Sequence, residues 1–95
     1  MQPTSTEVII VNELGLHARS AAMITAIARN AMSNIWITKD GHRVDASSVL
    51  DILTLACEKN TKITISVENS SDIHILKDIQ LLIESGFGED VRSNQ

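Results

Sequence analysis

The sequence predicts an α+β protein built as a two-layer open-faced sandwich, and three observations predict it. Four short runs alternate apolar and polar residues, and three others repeat apolar residues at spacings of three and four. The two kinds of run interleave in the order β-α-β-β-α-β-α. Alternation means that each strand buries one face only, so the sheet is antiparallel, with three helices on its apolar face and water on the other.

The first strand falls at residues 7–12, a β-branched run with Val8 and Ile10 on one face. Helical spacing takes over at residues 18–32, where Ala21, Ile24, Ile27, Ala28 and Ala31 share a face opposite Arg29 and Asn30. Alternation returns at residues 34–39 with Ile35 and Ile37 inward, and Asp40-Gly41 is a two-residue hairpin turn into a strand at residues 42–46. Ser48 followed by Asp51 marks a capping-box-like start for a short helix to residue 58. The clearest strand is 62–68, with Ile63, Ile65 and Val67 facing one way and Thr64 and Ser66 the other. Ser71 or Asp72 caps the last helix, whose buried stripe is Ile75, Leu76, Ile79, Leu82 and Ile83 and whose end is Gly86. Residues 1–95 thus make a single domain, with its core at residues 7–90 and loose polar tails at 1–6 and 92–95.

Composition excludes several classes. A net charge of −4 without a Lys/Arg cluster argues against binding a phosphate backbone, and Trp36 and Phe87 are too few aromatics for a base-stacking platform. No apolar run reaches the roughly 18 residues of a membrane span, and the first residues lack the pattern of a signal peptide. The lone Cys57 forms no internal disulfide and reads as apolar filler on the short helix, in keeping with a cytoplasmic protein. His42 and His74 lack ligand-spaced partners and read as surface residues, so no metal site is expected. There is no paired-acid motif, nucleophile–base arrangement or glycine-rich nucleotide loop, which disfavours a stand-alone enzyme.

The chemistry concentrates in Leu16-His17-Ala18-Arg19-Ser20, where a strand gives way to a helix. A helix start leaves about four N–H groups unpartnered and carries roughly half a positive charge, so it favours an anion. His17 stands on that spot, and Arg19 adds a permanent cation with a fork of donors suited to phosphoryl oxygens. Backbone N–H groups of Ala18, Arg19 and Ser20 are candidate phosphate contacts. A second signal lies on the short helix. Val49, Leu50, Ile52, Leu53, Leu55, Ala56 and Cys57 spread wider than the roughly 100° stripe that a surface helix buries. Leu50 and Leu53, with Val49 beside them, are therefore expected as an exposed docking patch.

Gly15 to Arg19 (G-L-H-A-R), the hairpin, Val44 to Leu50 (V-D-A-S-S-V-L) and Ile63 to Ser66 (I-T-I-S) closely resemble the HPr family of phosphocarriers of the bacterial phosphoenolpyruvate-dependent phosphotransferase system. The resemblance implies a sheet order of 1-4-2-3. It implies that His17 accepts a phosphoryl group from enzyme I, with phosphoenolpyruvate as the ultimate donor and no cofactor, and passes it to an EIIA-type acceptor, while Arg19 stabilises the group. It also places Ser48 at the family's regulatory serine, the target in some bacteria of a dedicated serine kinase. A regulatory interaction protein signalling through Ser48 is the alternative reading, and a monomer is expected in either case. The ending Ser85-Gly86-Phe87-Gly88-Glu89-Asp90 looks more like the nitrogen-regulatory branch than the sugar branch.

Departures from the family pattern are few. Ser20 stands where proline is usual, so it restores a backbone donor and offers phosphate a hydroxyl. Ser47 and Asp51 replace the lysine and glycine usual in the sugar branch, and Asp51 adds negative charge near the docking face. Asn60 and Asn69 replace turn glycines, which asparagine can imitate in the left-handed region.

Overall fold

A computed structural model describes residues 4–89. Four strands, β1 (Ser5–Ile9), β2 (Ile35–Lys39), β3 (His42–Asp45) and β4 (Lys62–Val67), form one antiparallel sheet in the order β1-β4-β2-β3. Helices α1 (Ala18–Ala28), α2 (Val49–Leu53) and α3 (Ile73–Glu84) complete the element order read from the sequence. Alternation decides which face they cover. Val8, Ile35, Ile37, Val44, Ile63, Ile65 and Val67 are buried with Ala21, Ile24, Ile52, Ile75, Leu76, Ile79 and Ile83 from the helices. The other face is polar, with Trp36 donating its indole N–H to Glu68 at 2.8 Å and the Arg43 guanidinium 4.2 Å from its ring centroid.

Several boundaries differ from the sequence reading. Strand β1 starts two residues earlier, because Ser5 pairs with Ser66 and Thr6 with Ile65 through backbone groups that hydropathy does not report. Residues 1–3 and 92–95 of the expected tails lie outside the described residues. Helix α1 stops at Ala28, where the next turn tightens as Asn30 N–H bonds Ile27 O at 3.0 Å and Ala31 N–H bonds Ala28 O at 3.1 Å. The apolar spacing of Ile27 and Ala31 continues past the helix, and both are only partly buried. Helix α2 ends at Leu53 in the same way, with Ala56 in the left-handed region at φ 52°. Cys57 is therefore in a loop and not on a helix. It is buried, which pushes its thiol pKa up.

The turn residues behave according to their chemistry. Asp40 and Gly41, at φ 50° and 82°, form the hairpin, and Asn60 takes the left-handed conformation at φ 75°. Asn69 does not: at φ −119° it is extended, and its side chain accepts from the Ser71 N–H at 2.9 Å, capping a 3-10 turn that leads into α3. Asp72 occupies the N-cap position of α3 but sends its carboxylate elsewhere, to the exit of α1. At the other end of α3, Gly86, Phe87 and Gly88 are all left-handed (φ 74°, 62° and 69°). This reversal buries Phe87 and turns Glu89 back toward the start of α1.

Candidate functional site

The site is built on the turn between β1 and α1. Gly15 is left-handed at φ +65°, and a Cβ there would lie 2.3 Å from the Cys57 carbonyl, so only glycine lets the two loops approach. The approach is held by Leu16 N–H to Cys57 O at 2.8 Å. Asn12, fully buried, braces the turn by donating to Gly15 O at 2.9 Å. Its Oδ1 has no hydrogen-bond partner among the described residues.

His17 is the N-cap of α1, in extended backbone. Its N–H donates to Ser20 Oγ at 2.9 Å, the backbone arm of a capping box. Ser20 is fully buried, and its hydroxyl lies 3.1 Å from Gly15 O and 3.2 Å from His17 O. The hydroxyl is thus committed inward and is not available to phosphate. Its capping bond stabilises the helix start in place of the φ preset by the family's proline. The first-turn N–H groups, those of Ala18 and Arg19 included, remain the helix-start donors.

The imidazole and guanidinium converge on one carboxylate. Glu89 Oε2 lies 2.9 Å from His17 Nε2 and accepts from Arg19 Nη2 at 2.7 Å, while Oε1 accepts from Asn12 Nδ2 at 3.1 Å. The Glu89 side chain is 10% exposed, against 29% for His17 and 54% for Arg19. Its pKa is lowered from the usual carboxylate range, chiefly by the hydrogen bond from His17; burial opposes this, and Asn12 and the Arg19 charge add to it. An ionised carboxylate only accepts, so Nε2 bears the hydrogen and a neutral ring keeps its lone pair on Nδ1. The purely positive surroundings read from Arg19 and the helix start are corrected by this internal anion.

Sequence reasoning missed Glu89 and Asn12. Asn12 sits at the end of an alternating run and carries no signal of its own. For Glu89 the available signal was Gly86-Phe87-Gly88, a run fit for a sharp reversal, but its direction depends on how Phe87 packs.

The second cluster lies on α2. Ser48 is the N-cap, its Oγ accepting from Asp51 N–H at 3.2 Å, and it makes no hydrogen bond with His17 or Arg19. Asp45 braces the preceding turn by accepting from Ser47 N–H at 2.8 Å and Ser47 Oγ at 2.7 Å. These bonds, the backbone one first, lower its carboxyl pKa. Leu50 is 76% exposed. Leu53 and Val49 instead pack partly against the core, so the exposed patch expected on this helix narrows to Leu50. Among the described residues no three His, Cys, Asp or Glu side chains are placed to share a metal ion, and no helix is long and apolar enough to cross a membrane.

A histidine and an arginine presented to an anion at the start of a helix, on an open-faced sandwich of strand order 1-4-2-3, define the class of small histidine phosphocarriers. Comparison with known proteins agrees. The family model described as the PTS HPr component phosphorylation site matches residues 4–85. The phosphocarrier protein HPr of Neisseria meningitidis is 34% identical over 80 residues, which cover 84% of this chain and 90% of that protein. HPr of Cupriavidus necator is 32% identical over the same shares. Among solved structures, HPr-C-His from Thermoanaerobacter tengcongensis superimposes with a TM-score of 0.86 at 34% identity, covering 96% of this chain and all (100%) of the other. HPr from Bacillus anthracis gives 0.78 at 32% identity, over 83% and 94% of the two chains. The chain belongs to the HPr family of phosphotransferase-system phosphocarriers.

Proposed function

We propose that His17 is the phosphoryl acceptor and donor, that Arg19 stabilises the phosphoryl oxygens, and that the chain carries the group from enzyme I to an EIIA-type acceptor. The observation that supports this most is the convergence of His17 and Arg19 on a single carboxylate at the start of α1, because a site that gathers donors around carboxylate oxygens also suits phosphoryl oxygens. Phosphoenolpyruvate charges enzyme I. The Nδ1 lone pair then attacks phosphorus in line, a nitrogen–phosphorus bond forms, and the broken bond's electron pair stays with the donor.

In the second half the acceptor's nucleophile attacks phosphorus and the pair returns to Nδ1. The chain needs no cofactor for this and catalyses no reaction alone, since phosphoryl transfer is positioning plus electrostatics and each partner supplies half of the site. We place it in the cytoplasm, where both partners act, with Leu50 at the edge of the docking face. Incubation with phosphoenolpyruvate and a cognate enzyme I should yield an acid-labile phosphoryl adduct that His17→Ala abolishes. Absence of an adduct on the unaltered chain with a verified cognate enzyme overturns the reading.

A further inference from the structure

We propose, resting on the carrier reading above, that Glu89 is the counter-ion that keeps a proton on His17 Nε2 through both halves of the cycle, so that Nδ1 takes and gives the phosphoryl group with no proton moving.

The argument begins with what a carboxylate can accept. Glu89 Oε2 receives hydrogen bonds from Nε2 and Arg19, and Oε1 receives one from Asn12. The contact with Nε2 is not possible with that nitrogen's lone pair turned toward the oxygen, so in a neutral ring the lone pair sits on Nδ1. When Nδ1 bonds to phosphorus, the ring acquires a formal positive charge shared with Nε2–H, and that hydrogen already faces Glu89 at 2.9 Å. When the group leaves, the nitrogen–phosphorus pair returns to Nδ1 and the ring is neutral again with Nε2–H unchanged. If Nε2 lost its proton in the charged state, the leaving group would be an imidazolate, a far stronger base and a poorer leaving group. The carboxylate therefore governs how readily the phosphoryl group is released, much as a buried acid in a hydrolase triad holds the tautomer of its histidine and stabilises the imidazolium.

The fold holds Glu89 in place for this. Phe87, 1% exposed, anchors the segment, and three successive left-handed residues set its direction. The titratable or charged side chains facing the carboxylate are His17 and Arg19, both from the start of α1; Asn12 is neutral, and Gly86, Phe87 and Gly88 bring no charge. Glu89 acts through His17 and is a positioning residue.

The test compares the unaltered chain with Glu89→Gln, which keeps an acceptor oxygen and loses the charge. Both are phosphorylated with phosphoenolpyruvate and enzyme I and isolated, and release of phosphate to water and back-transfer to enzyme I are followed from about pH 6 to 9. The unaltered chain should hold its rate to higher pH. The fall-off in Glu89→Gln should come roughly one pH unit lower, leaving release about tenfold slower on the alkaline side. Ring ¹⁵N spectra of the unphosphorylated proteins should show the Nε2–H tautomer in the unaltered chain and a larger Nδ1–H population in the variant, with Phe87 resonances unchanged as proof of equal folding. Superimposable pH profiles of the two phosphorylated proteins, with identical ring spectra of the unphosphorylated ones, would overturn the role of Glu89 and leave the carrier reading intact. Failure of the unaltered chain to accept a phosphoryl group overturns both.

Discussion

Two carboxylates at opposite ends of α1 are both reached by long returns of the chain, and they are held in opposite ways. Asp72 is fully buried and accepts the backbone N–H groups of Met32 at 2.8 Å and Ser33 at 3.0 Å, tying the exit of α1 to the start of α3. Glu89, at the entrance of α1, accepts from His17, Arg19 and Asn12 through their side chains. Backbone donors cannot turn away, so Asp72 works as a strut. A side-chain donor can turn, so the half-exposed Arg19 can pass from Glu89 to an incoming anion while His17 and the buried Asn12 keep their bonds. The contrast shows that the identity of its donors, more than burial of the carboxylate, separates a structural ion from one suited to chemistry.

The comparison can be broken at either end. Gly15→Ala should have the largest effect: the left-handed φ and the 2.3 Å approach to Cys57 O force the loops apart, at roughly 3 kcal/mol or more. Denaturant unfolding should show that loss together with impaired adduct formation. Asp72→Ala leaves two backbone N–H groups without their acceptor and should cost about 2–3 kcal/mol while phosphorylation of the folded protein is unchanged. A loss of phosphorylation there would erase the distinction between strut and site. Ser48→Ala, which removes a cap that binds a backbone donor in a half-exposed position, should cost about 1 kcal/mol in the same measurement.

Glu89→Gln should have the smallest effect on stability at neutral pH, under about 1 kcal/mol, because its ion-pair partner Arg19 is 54% exposed. Its signature is the acid limb. The folded protein lowers the Glu89 pKa, so the unfolded chain binds more protons, and the stability it contributes is complete above the ordinary carboxylate value. It is lost as pH falls through the lowered folded value. Urea midpoints measured down through that range should fall less steeply for Glu89→Gln than for the unaltered chain.

Much of this was legible in the residues. Ile63, Ile65 and Val67 alternate with Thr64 and Ser66 because a strand buries one face, and the observed burial follows that alternation. Asp40-Gly41 specified its turn because few residues tolerate two left-handed positions in a row. His17 and Arg19 stood out because a helix start followed immediately. Helix ends were less legible. Ala31 keeps a helical spacing although α1 has ended, since an apolar residue can pack against the core from a tightened turn as well as from a helix. The exposure of Leu53 was legible only in part for a related reason: the wheel shows how wide the apolar arc of α2 is, but its rotation depends on α1, against which it packs, and Leu53 is half-buried.

The sequence by itself determined the order of elements, the buried face of each strand, the hairpin, the cap at Ser48 and the pair His17 and Arg19, because each follows from forces acting over a few neighbouring residues. Only the tertiary structure decided that Ser20 turns its hydroxyl inward, that Asp72 serves α1 rather than its own helix, and that Glu89 meets His17. The contacts of Asp72 and Glu89 join residues far apart in the chain, and their partners are chosen by how the sheet, the helices and the Phe87 anchor pack together; Ser20 turns inward because the turn at Gly15 is held against Cys57. Local pattern carries no record of that choice.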